Sequence, residues 1–156
     1  MSAFTLIFKF LVISIVVFIF SACEKKSTTG AAQVHWDRDM CENCVMVVSD
    51  RRNAVQVIDP RTGKVHVFDD IGCMAVWFEE QRIDFKDEAI VWITDVKSGE
   101  WINARTAFYD TRNATPMNYG FSAHKSGDTI KKEEEIVNYG EVLKRSLKLY
   151  SNAVSK

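Results

Sequence analysis

The sequence predicts an α+β body of two packed halves with mainly antiparallel strands. Three observations carry this. Short β-branched and aromatic runs alternate with period two, as at Val65-His66-Val67-Phe68. Helical spacing of apolar residues is confined to two stretches, near 70–81 and 140–150. Asp59-Pro60-Arg61-Thr62-Gly63-Lys64 and Val96-Lys97-Ser98-Gly99-Glu100 read as tight turns, where Pro pre-sets φ and Gly accepts positive φ.

In chain order, the leader comes first. Leu11 to Phe20 is an apolar run interrupted only by Ser14, with Lys9 before it and Ser21-Ala22-Cys23 after it. Residues 1–22 are therefore expected to be a signal peptide. Phe20-Ser21-Ala22-Cys23 resembles a bacterial lipoprotein signal, which implies cleavage before Cys23 and acylation of its thiol. An uncleaved anchor reaching back to Phe4 is the alternative. Residues 23–33 are read as lipid anchor and tether, small and polar. The remaining body, about 125 residues, suffices for one domain or two small halves. The first half is expected over 34–95 and the second over 96–151.

Val34-His35-Trp36 is expected to be a short strand. Val45 to Ser49 and Ala54 to Ile58 read as strands flanking the turn Asp50–Asn53. Val65 to Phe68 follows, with His66 facing solvent between Val65 and Val67. Asp69-Asp70 caps an amphipathic helix over 70–81, which buries Ile71, Ala75 and Phe78. Ile90 to Ile93 is a strand apolar on both faces. Trp101 to Tyr109 reads as one further strand, Asp110 to Pro116 as a loop, and Met117 to His124 as extended and aromatic. Glu133 to Asn138 fits strand or helix. Gly140 to Tyr150 is a helix with a stripe of Val142, Leu143, Leu147 and Tyr150.

Lys and Arg number 20 against 21 Asp and Glu, and no basic patch points to nucleic acid. Attention falls instead on Met40-Cys41-Glu42-Asn43-Cys44-Val45-Met46, a run of soft sulfur donors. Thiolates and thioethers suit Cu(I). On a strand beginning near Cys44, Cys44 and Met46 share a face, and Cys41 reaches the same ion from the preceding turn. With Cys23 acylated, Cys41, Cys44 and Cys73 remain, an odd number in an exported protein.

Other chemistries use the same residues. Cys41 and Cys44 fit a dithiol oxidoreductase, although the pair runs into a strand and not a helix N-terminus. Structural zinc needs four ligands, and Cys73, His35, His66 and His124 lack the usual spacing to complete a set. A disulfide from Cys73 to Cys41 or Cys44 closes a loop of roughly 30 residues, which stabilises by roughly 3–4 kcal/mol in the chain-entropy model. Such a bond suits a disulfide-stabilised binding lipoprotein. Core packing or a disulfide ranks ahead of metal ligation for Cys73. Met117 lies in a distant loop, and His35 and His124 are possible nitrogen ligands.

Met40-Cys41-x-x-Cys44-x-Met46 after a lipoprotein signal, then Asp59-Pro60-x-x-Gly63-Lys64, Phe68-Asp69-Asp70 and Pro116-Met117, resembles the NosL family. These are accessory lipoproteins of nitrous-oxide reductase. The likeness spans roughly 37–145. It implies two small ββαβ-like halves and a Cu(I) metallochaperone, not an enzyme, with Cys44, Met46 and Met117 as ligands. Cys41 is the first candidate for a further ligand and His124 the second. The implied partners are nitrous-oxide reductase and its membrane assembly machinery. The implied place is the cell envelope, lipid-anchored and facing the periplasm, with Glu24 after Cys23 pointing to the outer membrane. Val45 and Asn118 stand where the common family member has Gly, and Cys73-Met74 is an addition to the common pattern.

Overall fold

The computed structural model describes residues 30–155. The expected signal peptide, the expected lipidation site Cys23 and most of the expected tether lie outside the described residues.

The larger sheet is antiparallel throughout and holds β1 (Val55–Ile58), β2 (Val65–Phe68), β3 (Ile90–Thr94) and β4 (Trp101–Asn103), in the order β2-β1-β3-β4. A smaller antiparallel sheet pairs β5 (Phe108–Asp110) with β6 (Ser122–His124). Two α-helices complete the described body, α1 (Ile71–Glu80) and α2 (Tyr139–Val154), packed on one another. The α+β class is as expected. β1, β2, α1 and β3 form a ββαβ unit, whereas β5, β6 and α2 have no closing strand among the described residues. No helix among the described residues is long and apolar enough to cross a membrane.

β1 is central and buried at every position because it is paired on both edges. Its polar Gln56 is satisfied by a two-bond clamp. The side chain accepts from Ala32 N–H and donates to Ala32 C=O, each at 2.8 Å, which holds the segment before the domain against the sheet.

α1 begins where expected, because the Asp70 side chain caps it by accepting from Gly72 N–H at 2.9 Å. The helix is not amphipathic as predicted. Every residue from Ile71 to Phe78 is buried, since α1 packs on β1 and β2 and also on α2. A helix apolar all round belongs in such a layer. α2 is amphipathic. Asn138 caps it by accepting from Glu141 N–H, and Val142 and Ser146 face inward.

Several strand expectations fail. Val34-His35-Trp36 is not a strand, and 45–49 contributes only an isolated bridge between Met40 and Val47. The expected strand from Trp101 to Tyr109 breaks at a turn over 104–106, where Thr106 and Ala107 N–H both donate to Asn103 C=O. Of 117–124 only β6 is strand, and of 133–138 only Val137 pairs, as an isolated bridge to Tyr109. His66 is buried against Trp77, ring centroids 4.6 Å apart, while Val65 and Val67 are the half-exposed positions of β2. Period-two alternation was correct there, but the face was reversed. The expected boundary at 95/96 falls inside the β3–β4 hairpin, so β4 extends the larger sheet.

Asp95 joins the two sheets. It is buried; one oxygen accepts from Lys97 and Ser98 N–H, and the other from Lys125 N–H at 2.8 Å, just past β6. Burial alone would raise its pKa, but these donors hold it below the ordinary aspartate value. A carboxylate with a lowered folded pKa adds stability that is complete above its unfolded pKa and is lost as pH falls through the folded one. Asp95→Ala should therefore cost about 2 kcal/mol at neutral pH. The difference from wild type should shrink in acid, as read by urea unfolding at both pH values.

Candidate metal centre

The segment 40–48 is a tight loop closed on itself. Cys41 N–H donates to Met46 C=O at 2.8 Å, Val45 N–H to Cys41 C=O at 3.0 Å, and Val48 N–H to Asp39 C=O at 2.9 Å. β2 is an edge strand, and its free Val67 C=O accepts from Glu42 N–H at 3.0 Å. Glu42 Oε1 also lies 3.1 Å from Nδ1 of the buried His66. These contacts press the loop against the end of β2, where the chain turns through Asp69 and Asp70 into α1.

Four ligand atoms converge there. The sulfurs of Cys41, Cys44 and Cys73 and a carboxylate oxygen of Asp69 all lie within 4.8 Å of one another. Cys41 and Cys73 are buried, Asp69 is 2% exposed, and Cys44 is half-buried. All three described cysteines are free thiols, and Cys73 forms no disulfide with Cys41 or Cys44. Cys44 Sγ donates to Asp69 Oδ2 at 3.4 Å, while Asp69 Oδ1 is buried without a hydrogen-bond partner.

The thiols are chemically distinct. A hydrogen bond from the Cys73 thiol, opposed by burial, brings Cys41 down to about 7. The same bond, with burial added, drives Cys73 upward. Burial pushes Cys44 up to about 12. An attacking thiol of a redox pair needs access and thiolate character together. Here Cys41 is buried and only Cys44 is half-exposed, which limits access of an attacking disulfide to the pair.

Asp70 ties the second soft-donor loop to this corner. Its Oδ2 accepts from the Thr115 hydroxyl at 2.6 Å and from Met117 N–H at 3.2 Å. Tyr119 lies over Gly72, where a Cβ would fall 2.0 Å from the ring, so only glycine admits the loop. Met117 is thus anchored to Asp70, the residue next to Asp69, and is 38% exposed. Met46 is 45% exposed. Because 45–49 is not a strand, the shared-face argument for Cys44 and Met46 does not hold.

The histidines lie outside the four-residue cluster. His124 is buried with both nitrogens engaged, Nδ1 with Thr129 Oγ1 at 2.8 Å and Nε2 with Asp110 Oδ2 at 3.0 Å. His35 is exposed, 3.5 Å from Asp39. Cys73, ranked first as core or disulfide, belongs to the cluster. Asp69 was read only as part of the cap. The available signal was that one of two adjacent carboxylates suffices to cap, and that Asp69 precedes Cys73 by four residues, one helical turn.

Fold and cluster together define a small α+β protein with a thiol-rich candidate metal centre. Its fold is similar to that in the crystal structure of the copper chaperone NosL from Shewanella denitrificans, with a TM-score of 0.54 over 71% of this chain and 94% of that one. Sequence identity is 15%, so the likeness is one of fold. No protein-family model matches the chain, and no curated protein matches it in sequence.

Val45 and Asn118, the two positions where the resembling family carries Gly, adopt left-handed backbone with φ of 61° and 59°. Asparagine tolerates this region, but a β-branched valine does not. Val45→Gly should therefore stabilise the fold by about 1 kcal/mol, seen as a raised urea midpoint with unchanged m-value.

Proposed function

We propose that this protein is a copper carrier of the cell envelope, holding Cu(I) as cargo at the thiol cluster and passing it to an acceptor, with no catalytic step of its own. The observation that carries this reading is the convergence of three free thiols on one corner of a fold similar to that of a copper chaperone. Soft thiolates suit Cu(I), which accepts low coordination numbers. Cys44 is the half-exposed member and the point where an incoming donor meets the ion. The exposed thioethers of Met46 and Met117 sit on the two loops bounding this corner and serve as soft contacts during exchange.

Acylation at Cys23, a periplasm-facing position at the outer membrane, and delivery toward nitrous-oxide reductase and its membrane assembly machinery complete the proposal. They rest on the resemblance in sequence and on the leader. Cys23→Ala should shift the protein from the membrane to the soluble fraction.

Titration of the full chain with Cu(I) against a competing chelator tests the cargo. Cys44→Ser and Cys73→Ser should each weaken binding by about 100-fold. Met46→Leu and Met117→Leu should weaken it by about tenfold, the scale of supporting contacts around a metal. Unchanged Cu(I) affinity in both cysteine variants would sink this reading.

A further inference from the structure

We infer that Cys41, Cys44, Cys73 and Asp69 form a complete four-ligand site for a divalent, borderline-soft ion of the Zn²⁺ type, in addition to Cu(I). The inference rests on the reading above in placing the cargo at this cluster, and it adds a second cargo class.

Asp69 distinguishes the two ions. A carboxylate is a hard donor and a poor partner for Cu(I), which the three sulfurs already satisfy. Zn²⁺ takes thiolate and carboxylate ligands together, in a tetrahedron with Zn–S about 2.3 Å and Zn–O about 2.0–2.2 Å. Corners of such a tetrahedron lie about 3.5–3.8 Å apart. Four ligand atoms within 4.8 Å of one another are close enough to be drawn onto one such ion. Drawing the donors in from that limit requires movements of at most about an ångström, and Cys44 is the least buried of the three thiols.

Charge points the same way. Asp69 is 2% exposed and adjacent to Asp70, which is 1% exposed. Among the described residues no Lys, Arg or His is ion-paired with either carboxylate. Buried charges are ordinarily paired or bound to metal. Asp69 Oδ1 is itself buried without a partner. Asp70 spends its oxygens on Gly72, Thr115 and Met117, whereas Asp69 makes only the long contact to the Cys44 thiol. A divalent ion neutralises more of this anionic corner than a monovalent one. Binding displaces the thiol protons to solvent, one for each sulfur that is protonated beforehand.

The test uses the reduced full chain, titrated with Zn²⁺ against a chromophoric chelator and with Co²⁺ as an optical probe. The expected result is one ion per chain, with Co²⁺ showing tetrahedral d–d bands and sulfur-to-cobalt charge transfer. Changes to outer-shell partners already cost about 10–100-fold in affinity. Asp69→Asn should accordingly weaken Zn²⁺ by at least about tenfold while moving Cu(I) by less than about threefold. Asp69→Cys should restore Zn²⁺ binding and add charge-transfer intensity from a fourth sulfur, a gain that a merely structural aspartate would not permit. Thermal melts of the metal-free variants show that each is folded. Octahedral Co²⁺, equal losses of Zn²⁺ and Cu(I) in Asp69→Asn, or no added sulfur signal in Asp69→Cys would overturn the inference. Zn²⁺ binding without Cu(I) binding would remove the copper reading and leave this one standing; Cu(I) without Zn²⁺ would do the reverse.

Discussion

Two adjacent buried carboxylates at the start of α1 set the geometry on which the rest of the described body depends. Taking a carboxylate out of water costs several kcal/mol unless its oxygens are satisfied. Asp70 is satisfied by the first turn of α1 and by the 115–117 loop, so one side chain fixes both the helix start and the approach of the second soft-donor segment. Burial nevertheless raises its pKa, with the three hydrogen bonds opposing. The backbone that presents Asp70 to these donors leaves Asp69 facing the thiols. The corner is therefore anionic and poor in cations, which favours a bound positive ion.

Accessibility of sulfur is graded across this corner. Cys73 and Cys41 are buried, Cys44 is half-buried, and Met40, Met46 and Met117 are exposed. Cys73 comes from α1, Met40, Cys41, Cys44 and Met46 from the one loop hydrogen-bonded to the edge strand β2, and Met117 from the loop tied to Asp70. In a carrier this arrangement separates retention from exchange, with the ion held by buried donors and approached through exposed ones. The left-handed Val45 sits at the hinge of that gradient, between Cys44 and Met46, and keeps the loop from extending into a strand.

Much of the fold could be read from neighbouring residues. The α1 boundaries followed from an aspartate cap and local spacing, the β1–β2 turn from Asp59-Pro60 and Gly63, β1 and β2 from apolar alternation, and β3 from a continuous apolar run. The errors share a cause. Val45-Met46-Val47-Val48 has high β-propensity, yet propensity is weak against a loop that closes through Cys41 and docks on Val67. His66 was turned outward because alternation gives two faces without saying which is covered. The 96–100 turn marks a break without saying whether the strand after it folds back onto β3, as β4 does.

The identity of the soft donors and the Cys-x-x-Cys loop were written in adjacent residues, since ligand softness is a property of single side chains. The membership of the cluster was not. Asp69 meets Cys44 across 25 residues, and Cys73 meets Cys41 only because β2 ends beside the loop and feeds directly into α1. That juxtaposition comes from sheet pairing, the Glu42–Val67 hydrogen bond and the burial of α1 between the larger sheet and α2. Each of these is an interaction between segments far apart in the chain, so only the folded chain decides it.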